Sequence, residues 1–98
     1  MYGLIGRMIA QPGRRDELVA AMLDGVRAMP GCLSYVVARD PTNADAIWVT
    51  EVWQDADSHR ASLQLPQVQA TIARARPLLA SFADRHETEP IGGVGLDQ

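Results

Sequence analysis

Six segments carry the hydrophobic pattern of this chain, and clusters of Pro, Gly, Asn and Asp separate them. Their order constrains the fold more than any other feature. Tyr2 to Ala10 is a run of apolar residues closed by Gln11-Pro12-Gly13, which reads as a strand. From Gly13 to Met29, the residues Leu18, Met22, Val26 and Met29 recur at helical spacing, and Pro30-Gly31 stops the pattern. Asp16 and Glu17 fall in the first turn of that helix, where the helix dipole favours acids. Cys32 to Arg39 and Ala46 to Trp53 are rich in β-branched and aromatic residues, and the turn-forming Asp40-Pro41-Thr42-Asn43-Ala44-Asp45 joins them as a hairpin. Asp55 is a suitable N-cap for a short helix from Ala56 to about Gln64. Pro66 opens a second helical piece with Val68, Ile72, Ala75 and Leu79 on one face, and Pro77 ends or kinks it. Ser81 to Glu89 reads as a last strand.

The order βαββαβ predicts an α+β, ferredoxin-like architecture: a four-stranded antiparallel sheet with helices on one face. The other face should alternate apolar and polar residues if water covers it. The third strand does not obey that rule. Ile47, Val49 and Trp53 point one way, and Trp48, Thr50 and Val52 the other, so both faces carry large apolar groups. Ninety-eight residues suffice for one domain with a thin core. Both features predict a homodimer formed through the open face of the sheet. The domain is expected over residues 1–90, with a glycine-rich tail over 91–98.

The formal net charge of −3 argues against binding to nucleic acid or to an anionic membrane. All nine basic residues are arginine, which removes Schiff-base chemistry and a Walker-type phosphate loop. Cys32, the single cysteine, forms no intrachain disulfide and makes no cysteine-based metal centre alone. No apolar run approaches a bilayer span, and Met1 to Gln11 does not have the form of a signal peptide, so a cytoplasmic location is expected. His59 and His86 lie on different elements with no third ligand in view, and no metal site is expected. Gly92-Gly93-Val94-Gly95 has no helix after it and reads as a tail rather than a phosphate loop.

Each candidate site residue has a structural and a functional reading. Trp53 fills core or interface, or it lines a ligand cavity. Glu51 shares its face and is expected to pair with Arg7 or Arg39 across the sheet. His59 is a solvated or capping histidine, or it stands at a cavity mouth as a general base or hydrogen-bond donor. Ser62, one turn later, is a surface residue or a second polar contact. Tyr35, Trp48 and Phe82 read first as core, although the polar tips of Tyr35 and Trp48 can fix an aromatic ligand. Arg74 and Arg76 face solvent, or one of them neutralises a phenolate or enolate.

Taken together, Pro30-Gly31-Cys32-Leu33-Ser34-Tyr35, Asp40-Pro41, Trp48-Val49-Thr50-Glu51-Val52-Trp53, His59-x-x-Ser62 and Pro66 resemble the antibiotic biosynthesis monooxygenase domain. The resemblance covers about residues 2–89. It implies a dimeric α+β barrel in which two ferredoxin-like sheets pack together. It also implies a cofactor-independent monooxygenase that oxidises a quinol-like or polyphenolic aromatic with dioxygen. Under that resemblance His59 is the proton acceptor or orienter, Trp53, Tyr35 and Ser62 line the pocket, and Arg74 is the anion partner. Haem-degrading members use an asparagine, a tryptophan and a histidine at positions that fall here on Gly6, Ser62 and Ile72, so haem degradation is not implied. A non-catalytic barrel holding an apolar ligand is the rival reading. A proton-transfer isomerase or decarboxylase is a third.

Overall fold

The computed structural model describes residues 1–27 and 29–96. Its elements are β1 (Tyr2–Ala10), α1 (Arg15–Gly25), β2 (Cys32–Arg39), β3 (Ala46–Trp53), α2 (Ala56–Ser62), α3 (Pro66–Ala75), a 3-10 turn (Arg76–Leu78) and β4 (Leu79–Thr88). The strands form one antiparallel sheet in the order β2-β3-β1-β4, the ferredoxin-like arrangement expected from the element order. Among the described residues no helix is long and apolar enough to cross a membrane.

The core lies between the sheet and the helices. Leu18 and Met22 of α1, Ile47 and Val49 of β3, Ala10, Ala75 and Leu78 form one buried cluster. Alternation along β3 explains which face is covered. Ile47, Val49 and Trp53 are buried beneath the helices, while Trp48, Thr50 and Val52 face the other way. Cross-strand pairing adds Ile5 and Arg7 of β1, and Val36 and Ala38 of β2, to that second face. It carries Trp48, Ile5, Val52 and Val36, and Val36 is 53% exposed.

Arg7 is anchored on this open face. Its guanidinium pairs with Asp84 at 2.9 Å and with Asp40 at 3.5 Å, and lies 5.5 Å over the Trp48 ring. Asp40 also accepts from the Thr42 amide and hydroxyl, each at 2.8 Å, and from the Trp48 indole at 3.1 Å. The Thr42 amide and hydroxyl do most to hold the Asp40 carboxyl down at about 2.

Several expectations need correction. Trp48 is not core: its parity on β3 is opposite to that of Ile47 and Val49, and its indole is spent on Asp40. Phe82 is 71% exposed rather than core. The first helix ends at Gly25, not Met29, with Val26 as its C-cap. Ala28, which the longer helix would contain, lies outside the described residues. The α2 helix ends at Ser62, two residues short of Gln64. The last strand starts at Leu79, directly after the 3-10 turn that contains Pro77, and ends at Thr88. Two register shifts interrupt its pairing with β1, leaving Ala83 and Ala80 as extra residues on β4. Of the proposed tail, Ile91 and Val94 are fully exposed, and residues 97–98 lie outside the described residues.

Candidate active site

The helices do not fill the space above the sheet. A cavity of about 510 Å³ remains, bounded by β2, β3, α2, α3, the residues that follow α1, and the start of β4. Its lining is mainly apolar: Met8, Met22, Val26, Met29, Trp53, Val68, Ile72 and Phe82 contribute. Val68 and Ile72, read from the sequence as a helix stripe, face this space, and Ile72 remains 39% exposed. Val26 and Met29 enter it from the loop after α1 rather than from the helix. Such a volume suits a drug-sized or polycyclic aromatic ligand.

Two of its polar groups, Glu51 and His59, meet beside Trp53. Glu51 leaves β3 on the same face as Trp53, and its Oε1 accepts from the Trp53 indole at 3.0 Å. Trp53 is 1% exposed, so this hydrogen bond is shielded from water. His59 is brought to the same place by α2. Asp55 caps that helix by accepting from the Ser58 amide at 2.7 Å. The first turn then directs the imidazole inward, where it meets the Trp53 ring edge to face at 5.4 Å and the Tyr2 ring at 5.5 Å. His59 Nε2 stands 4.0 Å from Glu51 Oε1, with both side chains less than a fifth exposed.

Burial disfavours the charged form of each group. It pushes the Glu51 carboxyl above the usual carboxylate range, against the Trp53 hydrogen bond and the Arg85 charge. It lowers His59, and the nearby Arg85 and Arg60 charges lower it further. The imidazole is therefore held as a neutral base at neutral pH. Tyr35, paired across the sheet with Glu51, has its phenol raised well above the ordinary value by burial and by the Glu51 charge. It stays a neutral donor.

Four of the five residues singled out from the sequence meet here: His59, Trp53, Tyr35 and Ser62 all line the cavity. The Ser62 hydroxyl donates to the His59 carbonyl at 2.6 Å and is 4% exposed, so it serves the helix as much as the cavity. Arg74 is elsewhere. It pairs with Asp24 of α1 at 2.9 Å on the outer surface, and Arg76, two residues on, is the arginine on the cavity wall. Glu51 does not pair with Arg7 or Arg39, because Arg7 is held by Asp40 and Asp84, and Arg39 lies 3.4 Å from Asp16. The parity of β3 carried a signal here, since Glu51 is the one acid on the strand's covered face. Among the described residues no group of three or more His, Cys, Asp or Glu is arranged to hold a metal ion.

Comparison with known proteins adds the following. The family model for antibiotic biosynthesis monooxygenase matches residues 1–74. A solved structure from Chloroflexus aurantiacus, named as a candidate antibiotic biosynthesis monooxygenase, is 59% identical, with 97% of each chain covered and a TM-score of 0.95. A structure from Caulobacter crescentus with the same kind of name is 21% identical. It covers 93% of this chain and 90% of that one with a TM-score of 0.84, a likeness of fold. An uncharacterized protein of Synechocystis is 26% identical over 82 residues, which is 81% of this chain and 56% of that protein. The chain thus spans about half the length of the curated relative it matches.

Proposed function

Because this chain belongs to the antibiotic biosynthesis monooxygenase family, we propose that it uses dioxygen to oxidise a quinol-like or polyphenolic aromatic bound in the cavity between helices and sheet, without a cofactor. The observation that supports this best is His59, a half-buried neutral imidazole beside Trp53 and Glu51 in the wall of an apolar chamber. A phenol or an acidic ring methylene gives its proton to His59. The electron-rich anion passes one electron to dioxygen, and the radical pair joins as a carbon–oxygen bond. The peroxide then loses water. For a ring methylene the balance is CH2 + O2 → C=O + H2O, so the substrate supplies all four electrons and no external reductant enters. Trp53 and Tyr35 flank the ring, Ser62 supports the helix turn that carries His59, and Arg76 rather than Arg74 serves as the anion partner.

Oxygen uptake with a panel of quinols and anthrones tests this. Uptake should accompany a product that has gained one oxygen and lost two hydrogens, and His59→Ala should abolish it. Thermal stabilisation by these compounds with no uptake above buffer would instead identify a ligand carrier. We further propose a homodimer through the open sheet face, supported by the apolar residues Trp48, Ile5, Val36 and Val52 there. Its location is proposed as cytoplasmic, and residues 91–98 as a tail outside the folded domain.

A further inference from the structure

Glu51 has no role in the oxygenation just described, yet it sits 4.0 Å from His59 in the same chamber wall. A carboxyl group on the covered face of a sheet is costly to bury unless something uses or satisfies it. Only one of its oxygens is engaged: Oε1 accepts from the Trp53 indole. Among the described residues Oε2 has no hydrogen bond within the chain, and no fully buried side-chain oxygen goes without a partner. Oε2 is therefore open to the chamber. No arginine forms an ion pair with Glu51 among the described residues, and the titratable group that reaches within 4.0 Å of its carboxyl is the His59 imidazole.

We propose that Glu51 is the chamber's proton donor, and that with His59 it gives the chamber a second, oxygen-independent activity: keto–enol interconversion of the aromatic ketones and phenols bound there. This rests on reading the chamber as the site for such aromatics. His59 takes the proton from the carbon next to the carbonyl, and Glu51 Oε2 gives its proton to the carbonyl oxygen. One C–H bond and one carboxyl O–H bond break, and one N–H and one enol O–H bond form. The imidazolium and carboxylate left behind are neighbours, and the proton returns across that gap before the next turnover. No oxidant or reductant takes part. A contact of 4.0 Å in the empty chamber is within reach of one that tightens around a ligand.

Burial acts in the direction these roles need, raising the Glu51 carboxyl and lowering the His59 imidazole, and the protonated carboxyl that the donor step uses gains population as pH falls below neutral. The other groups facing the pair are Tyr2 from β1, Tyr35 and Cys32 from β2, Arg60 from α2, and Arg85 and Glu87 from β4. Arg76 stands on the chamber wall after α3. The hydrogen bond to Glu87 raises the Tyr2 phenol, and burial raises Tyr35 and Cys32, so none of the three titrates in the acidic range.

The test is anaerobic exchange of the anthrone methylene protons in deuterated buffer, followed by proton NMR, with oxygen uptake by the same protein measured in parallel. The wild-type protein should accelerate exchange over buffer with a bell-shaped pH profile. Glu51→Gln keeps an acceptor for the Trp53 indole, and should lower the exchange rate at least tenfold and remove the alkaline limb of the profile. Glu51→Asp should restore part of the rate. A merely structural role for Glu51 would shift the thermal midpoint without removing one limb. Exchange that depends on Glu51 upholds the proposal, even if no oxygen is consumed and the monooxygenase reading falls. Oxygen uptake without accelerated exchange, or Glu51→Gln exchanging as fast as wild type with the same profile, overturns the proposal and leaves the monooxygenase reading standing. Neither exchange nor uptake overturns both.

Discussion

Replacing Trp53 by Phe separates the two things the indole does. The first is filling space: Trp53 is 1% exposed, and the substitution removes roughly 40 Å³, worth about 1 kcal/mol at the usual cost of residual cavity volume. The second is the 3.0 Å hydrogen bond to Glu51, worth about 1.5–3 kcal/mol when the acceptor is a carboxylate. At neutral pH the expected loss is therefore about 2.5–4 kcal/mol. The hydrogen bond favours the ionised carboxyl, so its part should shrink as pH falls and Glu51 takes up a proton. The cavity part should not. Urea unfolding of both proteins at pH 7 and pH 4, at matched concentrations and followed by Trp48 fluorescence, measures the difference. A loss below about 1 kcal/mol at pH 7, or a loss equal at both pH values, would refute the assignment of this hydrogen bond as a buried, charge-assisted one.

Asp40 should govern the acid limb of stability. Its carboxyl is held at about 2, so its contribution is complete above the ordinary aspartate range and is lost as pH falls from about 4 towards 2. Asp40→Asn should flatten acid unfolding in that window, monitored by circular dichroism. Gly25→Ala should destabilise even though alanine favours helix, because an added Cβ would collide with the Thr71 side chain. A cost of about 1–3 kcal/mol is expected, and Thr71→Ala should recover only part of it in the double variant, because the Cβ of residue 71 itself lies 2.7 Å from the added atom. Val36→Arg on the open sheet face should shift the proposed dimer to monomer in light scattering, with the far-ultraviolet spectrum unchanged.

The sheet was legible in the sequence because its strands are bounded by strong turn formers. The ranges read for β1, β2 and β3 coincide with those observed, since Gln11-Pro12-Gly13, Pro30-Gly31 and Asp40 to Asp45 leave little freedom about where strands stop. The helix ends were less legible. Val26 and Met29 continue the apolar spacing of α1, but that spacing reports only that a residue faces inward, and a loop can deliver Met29 to the chamber as well as a helix can. The start of β4 was hidden because Leu79-Ala80-Ser81 has no strong strand formers and follows a turn set by Pro77. At the site, period-two alternation put Trp53 and Glu51 on one face. It did not reveal that the indole itself, rather than an arginine, would satisfy the carboxylate. Arg74 and Arg76 look alike in sequence. Only the packing of α3 against α1 sends Arg74 to Asp24 and leaves Arg76 on the chamber wall.

The two extra residues in β4 loosen a coupling that sheets normally impose. In a regular strand alternate side chains serve opposite faces, so no short stretch can be altered for one face alone. Here Leu79, Ala80, Ser81 and Phe82 all border the chamber, whereas Asp84, two residues on, braces Arg7 on the far side. A contiguous tetrapeptide can thereby be varied for the chamber alone, while the strand beyond it returns to ordinary alternation, with Asp84 and His86 on the far surface and Arg85 and Glu87 on the side of His59.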